Sequence, residues 1–361
     1  MPSNVDPAVP VAGTPTTASV RGNFAAVKTE IDALQLLAAR FLSNLTIEAT
    51  RAGNAETIAI KTAAGADPAP SDPITLSFRS ATPGASTFDV LTLSAPLSIV
   101  VSAGSTLGAE ANAPFNLWLV AFNDAGTIRL GVIKCATPGG VFALQDNALA
   151  SSTAEGGAGA ADSAGVFYTG AAVAAKAMRV LGLLEYTLAT PGTWDTAPAI
   201  VRIHSPGQRL PGELVQCRHT TISARIDAPG PIPIDDTIPQ NTEGVEIGTA
   251  TLAMASAANR VQIAAGAAGT INGSGTAALA VFADATPNAI AASSGSTGGS
   301  ASFIVSASLM ATHQPASVAP VTYKLRAGLN STSTFQVNGN GAARLYGGAA
   351  SSYLRVEEIA T

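Results

Sequence analysis

Three histidines, two cysteines and two adjacent pairs of acids are the residues of this chain whose types could carry chemistry. A local zinc site needs a second His or Cys at helical or turn spacing. None of His204, His219 and His313 has one. Cys135 and Cys217 lie far apart and outside any CxxC spacing. Each reads as a small apolar filler, and the sequence leaves their pairing open. His219 follows Cys217 by two residues, which alone makes no nucleophile and base. Paired carboxyls are what a glycan hydrolase would use, and Asp235-Asp236 and Glu357-Glu358 are the pairs available. Neighbours on a strand point to opposite faces, so neither pair converges on one substrate. Both read as solvated turn or edge residues, with Asp235-Asp236 placed to order a turn. Gly156-Gly157-Ala158-Gly159 and Gly339-Asn340-Gly341 lack the strand–GxGxxG–helix pattern and the GK[ST] ending that cradle phosphate. No GxSxG elbow is present. The expectation is therefore no catalytic residue, no metal ligand and no cofactor site.

Aromatic side chains offer a second kind of chemistry, stacking on the apolar face of a sugar. Trp118 lies in an apolar run and reads as core. Trp194, in the loop Ala189 to Asp195, and Tyr346 and Tyr353 near the C-terminus are the candidates for surface contact. The competing reading is that each anchors its own module.

Such contacts need elements to position them. Residues 1–16 are rich in Pro, Ala and Thr without periodicity, which predicts an extended arm. After Pro15, with Thr17 or Ser19 as N-cap, apolar residues recur at alternating spacings of three and four. They are Val20, Phe24, Val27, Ile31, Leu34, Ala38, Phe41 and Leu45, all at a or d of a heptad. This predicts a coiled-coil-like trimerisation helix. Leu36, Leu37 and Leu42 add apolar surface outside that seam, so the last turns are expected to pack on the next domain.

Beyond it the period becomes two. Residues 49–73 read as a loop or loose strands, punctuated by Pro68, Pro70 and Pro73. Strands are expected at Phe88 to Leu93, Leu97 to Val101, Asn116 to Phe122, Ile128 to Ile133, Met178 to Tyr186 and Ile200 to Ile203. A second series follows the stiff connector Pro229 to Pro233. It includes the alternations Phe303 to Leu309 and Val321 to Arg326 and the closing segment Tyr353 to Ile359. The fold class expected is mainly β: an N-terminal α-helical, coiled-coil-like segment followed by two β-sandwich or jelly-roll-type modules in a trimer. The expected domains are 1–48, arm and helix; 49–228, first β module; and 229–361, second β module.

Composition narrows function. Of 361 residues only 12% are charged and 5% aromatic, while 47% are hydrophobic. Ala, Ser, Thr, Asn and Gly thus replace ions on the surface, and such faces bury easily against identical copies. Net charge is −5 with no basic run, so no nucleic-acid footprint is present. No apolar stretch approaches the length of a membrane helix. The opening residues do not read as a secretory signal, and the cysteine usage suits synthesis in a reducing cytoplasm.

Three stretches carry a resemblance. Gly13 to Phe24, running on to Ile31, resembles the N-terminal segment of tailed-phage tail-fibre and other appendage proteins. Ser152 to Ser163, with Ala189 to Pro198, resembles a β module of such proteins. Pro233 to Gly244, with Arg344 to Gly348 and Arg355 to Ile359, resembles their C-terminal fibre domains. The resemblance implies a structural virion protein: a homotrimeric tail fibre or receptor-binding appendage, docked on other virion proteins through its arm and contacting a glycan or protein of the host surface. A head fibre, decoration or baseplate protein without receptor contact is the alternative. A glycan-degrading spike is a third, against which stands the lack of a long array of β-helix coils.

Overall fold

Inward and outward positions alternate along Ala55–Lys61: Glu56, Ile58 and Ile60 are buried and their neighbours half-buried. This period of two, not the helical 3.6, governs most of the chain. The computed structural model describes residues 18, 20–28, 42–80, 88–146, 148–155, 162–296 and 304–361. The protein is mainly β, and the chain forms two compact units.

The first unit comprises most of residues 1–208. Its principal strands are β1 (Thr46–Ala52), β2 (Ala55–Lys61), β3 (Ile74–Arg79), β4 (Phe88–Leu93), β5 (Leu97–Val101), β6 (Pro114–Asp124), β7 (Thr127–Lys134), β8 (Lys176–Thr187) and β9 (Ile200–Ile203). One antiparallel sheet runs β1-β2-β5, and β3 and β4 pair as a hairpin. The largest sheet is built around β8-β6-β7, with β9 paired to β8. Residues 49–73 are thus better ordered than loose strands. The Gly53-Asn54 turn, with φ of 58° and 63°, closes the β1–β2 hairpin. Positive φ at both central residues matches the right-handed twist of a hairpin. Gly182 admits Ile47 of β1: a Cβ there would lie 2.7 Å from the Ile47 Cδ1 and 2.2 Å from the Arg202 carbonyl oxygen.

The second unit comprises 113–116, 135–144 and 209–361. Its strands are β10 (Leu214–Ile222), β11 (Ile226–Ala228), β12 (Val245–Ala253), β13 (Arg260–Asn272), β14 (Ala277–Ala283), β15 (Ala291–Gly295), β16 (Ile304–His313), β17 (Pro320–Leu329), β18 (Thr334–Val337) and β19 (Ser352–Ile359). A six-stranded sheet runs β10-β19-β13-β18-β11, with β16 also paired to β13. A four-stranded sheet runs β12-β17-β14-β15. Val261, Ile263, Leu354 and Val356 of the first sheet and Leu252, Leu279, Val281 and Tyr323 of the second share one core. This unit is a β-sandwich.

The expected boundary at 228/229 shifts to about 208/209. The reason is β10, which pairs with β19 along its whole length and so belongs to the second unit. Its polar face (Gln216, Arg218, Thr220) hid it from an apolar reading. Likewise β15 is built from Ala, Ser and Gly with no large apolar side chain to mark it, and a short 3-10 turn follows Arg344.

Candidate functional site

The helix of residues 18 and 20–28 carries the first predicted contact residues. Val20 is half-buried, Phe24 is 70% exposed and Val27 is 37% exposed. Three-residue spacing puts Phe24 and Val27 on one face, so an aromatic ring and a branched aliphatic stand together in solvent. Ile31, Leu34, Ala38 and Phe41 lie outside the described residues. Leu45 corrects the expectation: it precedes β1 in non-helical chain and is buried in the core of the first unit. The heptad spacing runs past the helix there because Leu45 and Ile47, two apart, already obey the strand period.

Trp194 is a second correction. Its ring is fully buried and meets Tyr186 edge-on, centroids 5.2 Å apart at 90°. Its Nε1–H donates to the Ser105 carbonyl at 2.9 Å. The loop is pulled inward because the indole needs both an apolar slot and an acceptor. Tyr186 in turn faces Glu56, whose carboxyl burial pushes up to about 7 against the pull of the Tyr186 hydroxyl and the Arg51 charge. Burial likewise pushes the Tyr186 hydroxyl up.

The paired acids diverge, as strand geometry requires, but they are not both solvated. Glu357 is half-buried and ion-paired with Arg355. Glu358 is fully buried; its carboxylate accepts from the Ala255 N–H at 2.8 Å, Asn259 Nδ2 at 2.7 Å and Gln216 Nε2 at 2.6 Å. Asp235 orders a turn through Thr237, whose N–H donates to its Oδ1 at 2.9 Å and whose hydroxyl donates at 2.6 Å. Cys135 is buried, which pushes its thiol up. Cys217 is half-buried instead of a core filler, and no disulfide joins the two. His313 packs on Tyr323, with Nδ1 3.0 Å from the hydroxyl, and burial lowers its pKa. Among the described residues no group of three or more His, Cys, Asp or Glu is placed to hold a metal, and no helix is long and apolar enough to cross a membrane.

The remaining candidates are exposed. Tyr346, 75% exposed, tops the 3-10 turn at φ 49°. Tyr353, 38% exposed, lies on the outer face of the six-stranded sheet. Its neighbours across the sheet are Thr221 on β10 and Gly266 on β13. The ring lies over Gly266, where a Cβ would come within 2.8 Å of the Tyr353 Cε1. It also stacks beside His219, centroids 6.1 Å apart and planes 13° apart. Two residues along, Arg355 sits between His219 and Ala264; two further, Glu357 sits between Cys217 and Gln262. Beyond β13 the same rows continue into Ser308, Met310 and Thr312 of β16. At the end of this face Arg260, Gln262 and Thr312 border a pocket of about 260 Å3 with Gly140 and Gly212. There the Arg260 guanidinium donates to the carbonyls of Thr137 at 2.5 Å and Gly140 at 3.3 Å.

Neither a family model nor a curated protein matches this chain. Among solved structures it is similar to the N-terminal CBM22-1–CBM22-2 tandem domain of Paenibacillus barcinonensis Xyn10C. Identity is 9%, over 89% of this chain and 92% of that one, with a TM-score of 0.18. It is similar too to the infectious bursal disease virus VP2 subviral particle, at 13% identity over 88% and 82% of the two chains and a TM-score of 0.18. Neither likeness carries a fold or a function across.

Sequence reasoning missed the company Tyr353 keeps. His219 and Met310 are distant in sequence, and only the pairing β10-β19-β13-β16 brings them onto one face. The one available signal was the alternation Tyr353, Arg355, Glu357, which places all three on the side opposite Leu354 and Val356. Glu56 had the same kind of signal, sharing its parity with Ile58 and Ile60.

Proposed function

We propose that this chain is a structural component of a tailed-phage particle, a homotrimeric fibre or receptor-binding appendage without catalytic activity. Its N-terminal arm and helix dock it on other virion proteins. Its two β units, the second of jelly-roll type, serve to reach the host surface. The observation that carries this reading is the uncovered apolar side of the helix at Phe24 and Val27. Exposed aromatic and branched aliphatic side chains on one face of a helix are the signature of a seam made with other helices. Support comes also from the low charge of the chain, which lets faces of small residues be buried between copies with little desolvation, and from the resemblance of its N-terminal segment to appendage proteins. Three copies multiply weak contacts by avidity.

Light scattering tests the assembly. The full chain is expected at three times 35.9 kDa. Replacing Phe24 and Val27 by Asp is expected to lower the mass to that of one chain while circular dichroism keeps the β signal. A wild-type monomer at micromolar concentration, or a variant as trimeric as the parent, overturns the reading. Imaging labelled particles then places the protein on tail, head or baseplate.

A further inference from the structure

We propose that the outer face of the six-stranded sheet is a trough for a neutral oligosaccharide, with Tyr353 as its stacking platform; the inference rests on the appendage reading for its biological partner and names the ligand class. The Tyr353 ring reaches over Gly266, which has no side chain to displace it, and His219 stacks beside it. Tyr353 keeps 38% of its surface exposed, so part of an apolar ring held from below and from one side meets solvent, with a hydroxyl at its rim. That is the shape that meets the C–H face of a pyranose while leaving the sugar hydroxyls to polar neighbours.

The floor and walls suit an extended chain. Outward positions of β13 at Gly266 and Ala264 are nearly bare, whereas the flanking strands raise Tyr353 and Arg355 on one side and Ser308 and Met310 on the other. Flanking strands lie about 10 Å apart, twice the strand spacing, enough for one sugar chain between them. Four residues of strand, about 13 Å, separate Tyr353 from the row of Glu357, Gln262 and Thr312, where the 260 Å3 pocket opens. Platform and pocket are thus joined by a path of about 13 Å, long enough for a short run of sugar rings.

The polar groups select a neutral ligand. Arg355 and Glu357 are paired, so together they offer donors and acceptors with no net charge. The pocket guanidinium of Arg260 is already held by two carbonyls. Those carbonyls take up the Nη1 donors, and the charged groups in the rows beside Tyr353 are the mutually paired Arg355 and Glu357, so the platform itself calls for no phosphate or carboxylate. A protein partner fits less well, since interface cores are depleted of charge and built on several aromatic anchors. The middle of this face instead carries the Arg355–Glu357 pair, its exposed aromatic is Tyr353 with His219 beside it, and its large aliphatic side chains, Met310 and Ile304, 86% and 48% exposed, both stand on the flanking β16.

The experiment is calorimetric titration of the full chain with gluco-, manno- and galacto-configured neutral hexasaccharides. At least one is expected to bind saturably. Tyr353→Ala should weaken it about tenfold or more, and Tyr353→Phe, which keeps the ring over Gly266, should stay within about twofold. Because loss of the ring also uncovers Gly266, a second variant guards the test: Ala264→Arg fills the trough and should abolish binding. Absence of binding by all three sugars, or full binding by Ala264→Arg, overturns the proposal. So does an Ala264→Arg variant that binds no sugar because it has lost trimeric mass, for the face is then a contact between copies. Light scattering on the same samples separates the two readings: a trimer that ignores sugars sinks this inference alone, and a monomer that binds them sinks only the assembly.

Discussion

Among the described residues, each unit of this molecule buries one glutamate completely, and the two are treated in opposite ways. Glu358 in the second unit receives three hydrogen bonds, from one backbone and two amide donors. Glu56 in the first unit has the Tyr186 hydroxyl and the Arg51 charge working against its burial, and its carboxyl still rises to about 7. Depth does not separate them, since both are inaccessible. Position in the sheet does. Glu56 sits in the middle strand of β1-β2-β5, where ladders on both sides use the backbone N–H groups. Glu358 faces the segment that follows β12, where the Ala255 N–H is outside any ladder and is aimed at the carboxylate. A buried carboxyl has its oxygens satisfied where a loop supplies donors that no ladder uses.

Removing the better-served carboxylate should do the most damage. Glu358→Ala leaves the Ala255 N–H and the Asn259 amide buried without an acceptor and frees Gln216. Leaving such groups unsatisfied costs on the order of 3–5 kcal/mol in sum, read as a fall in the denaturant midpoint. A loss below about 1 kcal/mol would mean that water replaces the carboxylate, and the contrast between the units would vanish.

The opposite sign is expected at Glu56. Its carboxyl stands at about 7 in the folded chain against an ordinary 4.5, so the folded state holds its proton more tightly than the unfolded state. Stability is then full below about pH 4.5 and declines as pH climbs to about 7 and above. The loss amounts to roughly 3 kcal/mol at 1.36 kcal/mol per unit. Glu56→Gln removes that decline and should be the more stable protein at pH 8 by up to about 3 kcal/mol, with little difference at pH 4. Parallel stability–pH curves for parent and variant would show that Glu56 is ionised in the fold at no cost.

How much of this was legible follows from what each residue must satisfy. The strands Phe88–Leu93, Leu97–Val101 and Ile200–Ile203 were readable to the residue, because apolar runs bounded by turn residues have little freedom in where they end. The β1–β2 hairpin was not, since its outward side is Thr, Ala and Glu and its turn is Gly-Asn, not the commoner Asn-Gly. The six-stranded face was hidden for a different reason. Long-range pairing decides it: His219 meets Tyr353 through β10 and β19, more than a hundred residues apart in sequence. A single sequence gives parity along a strand but not which strand lies beside it. Trp194 shows the limit in a single residue. A tryptophan in a Pro-Gly-Thr loop looks like a surface contact until the Ser105 carbonyl and the Tyr186 ring are seen to receive it.

That indole gives the smallest effect and the sharpest test of how the first unit manages its buried acid. Trp194→Phe keeps the edge contact with Tyr186 but removes the donor to Ser105, which costs about 1–2 kcal/mol. Tyr186 stands between Trp194 and Glu56, so a shift of its ring moves the one hydroxyl that faces the carboxyl. The double variant Trp194→Phe with Glu56→Gln should therefore depart from the sum of the single changes by about 0.5 kcal/mol or more at pH 8. The departure should shrink at pH 4, where Glu56 is neutral in both folded and unfolded chains. Coupling at pH 8 alone ties the tryptophan to the ionised carboxyl. Equal coupling at both pH values assigns it to packing, and strict additivity at pH 8 would show that Tyr186 does not carry the effect.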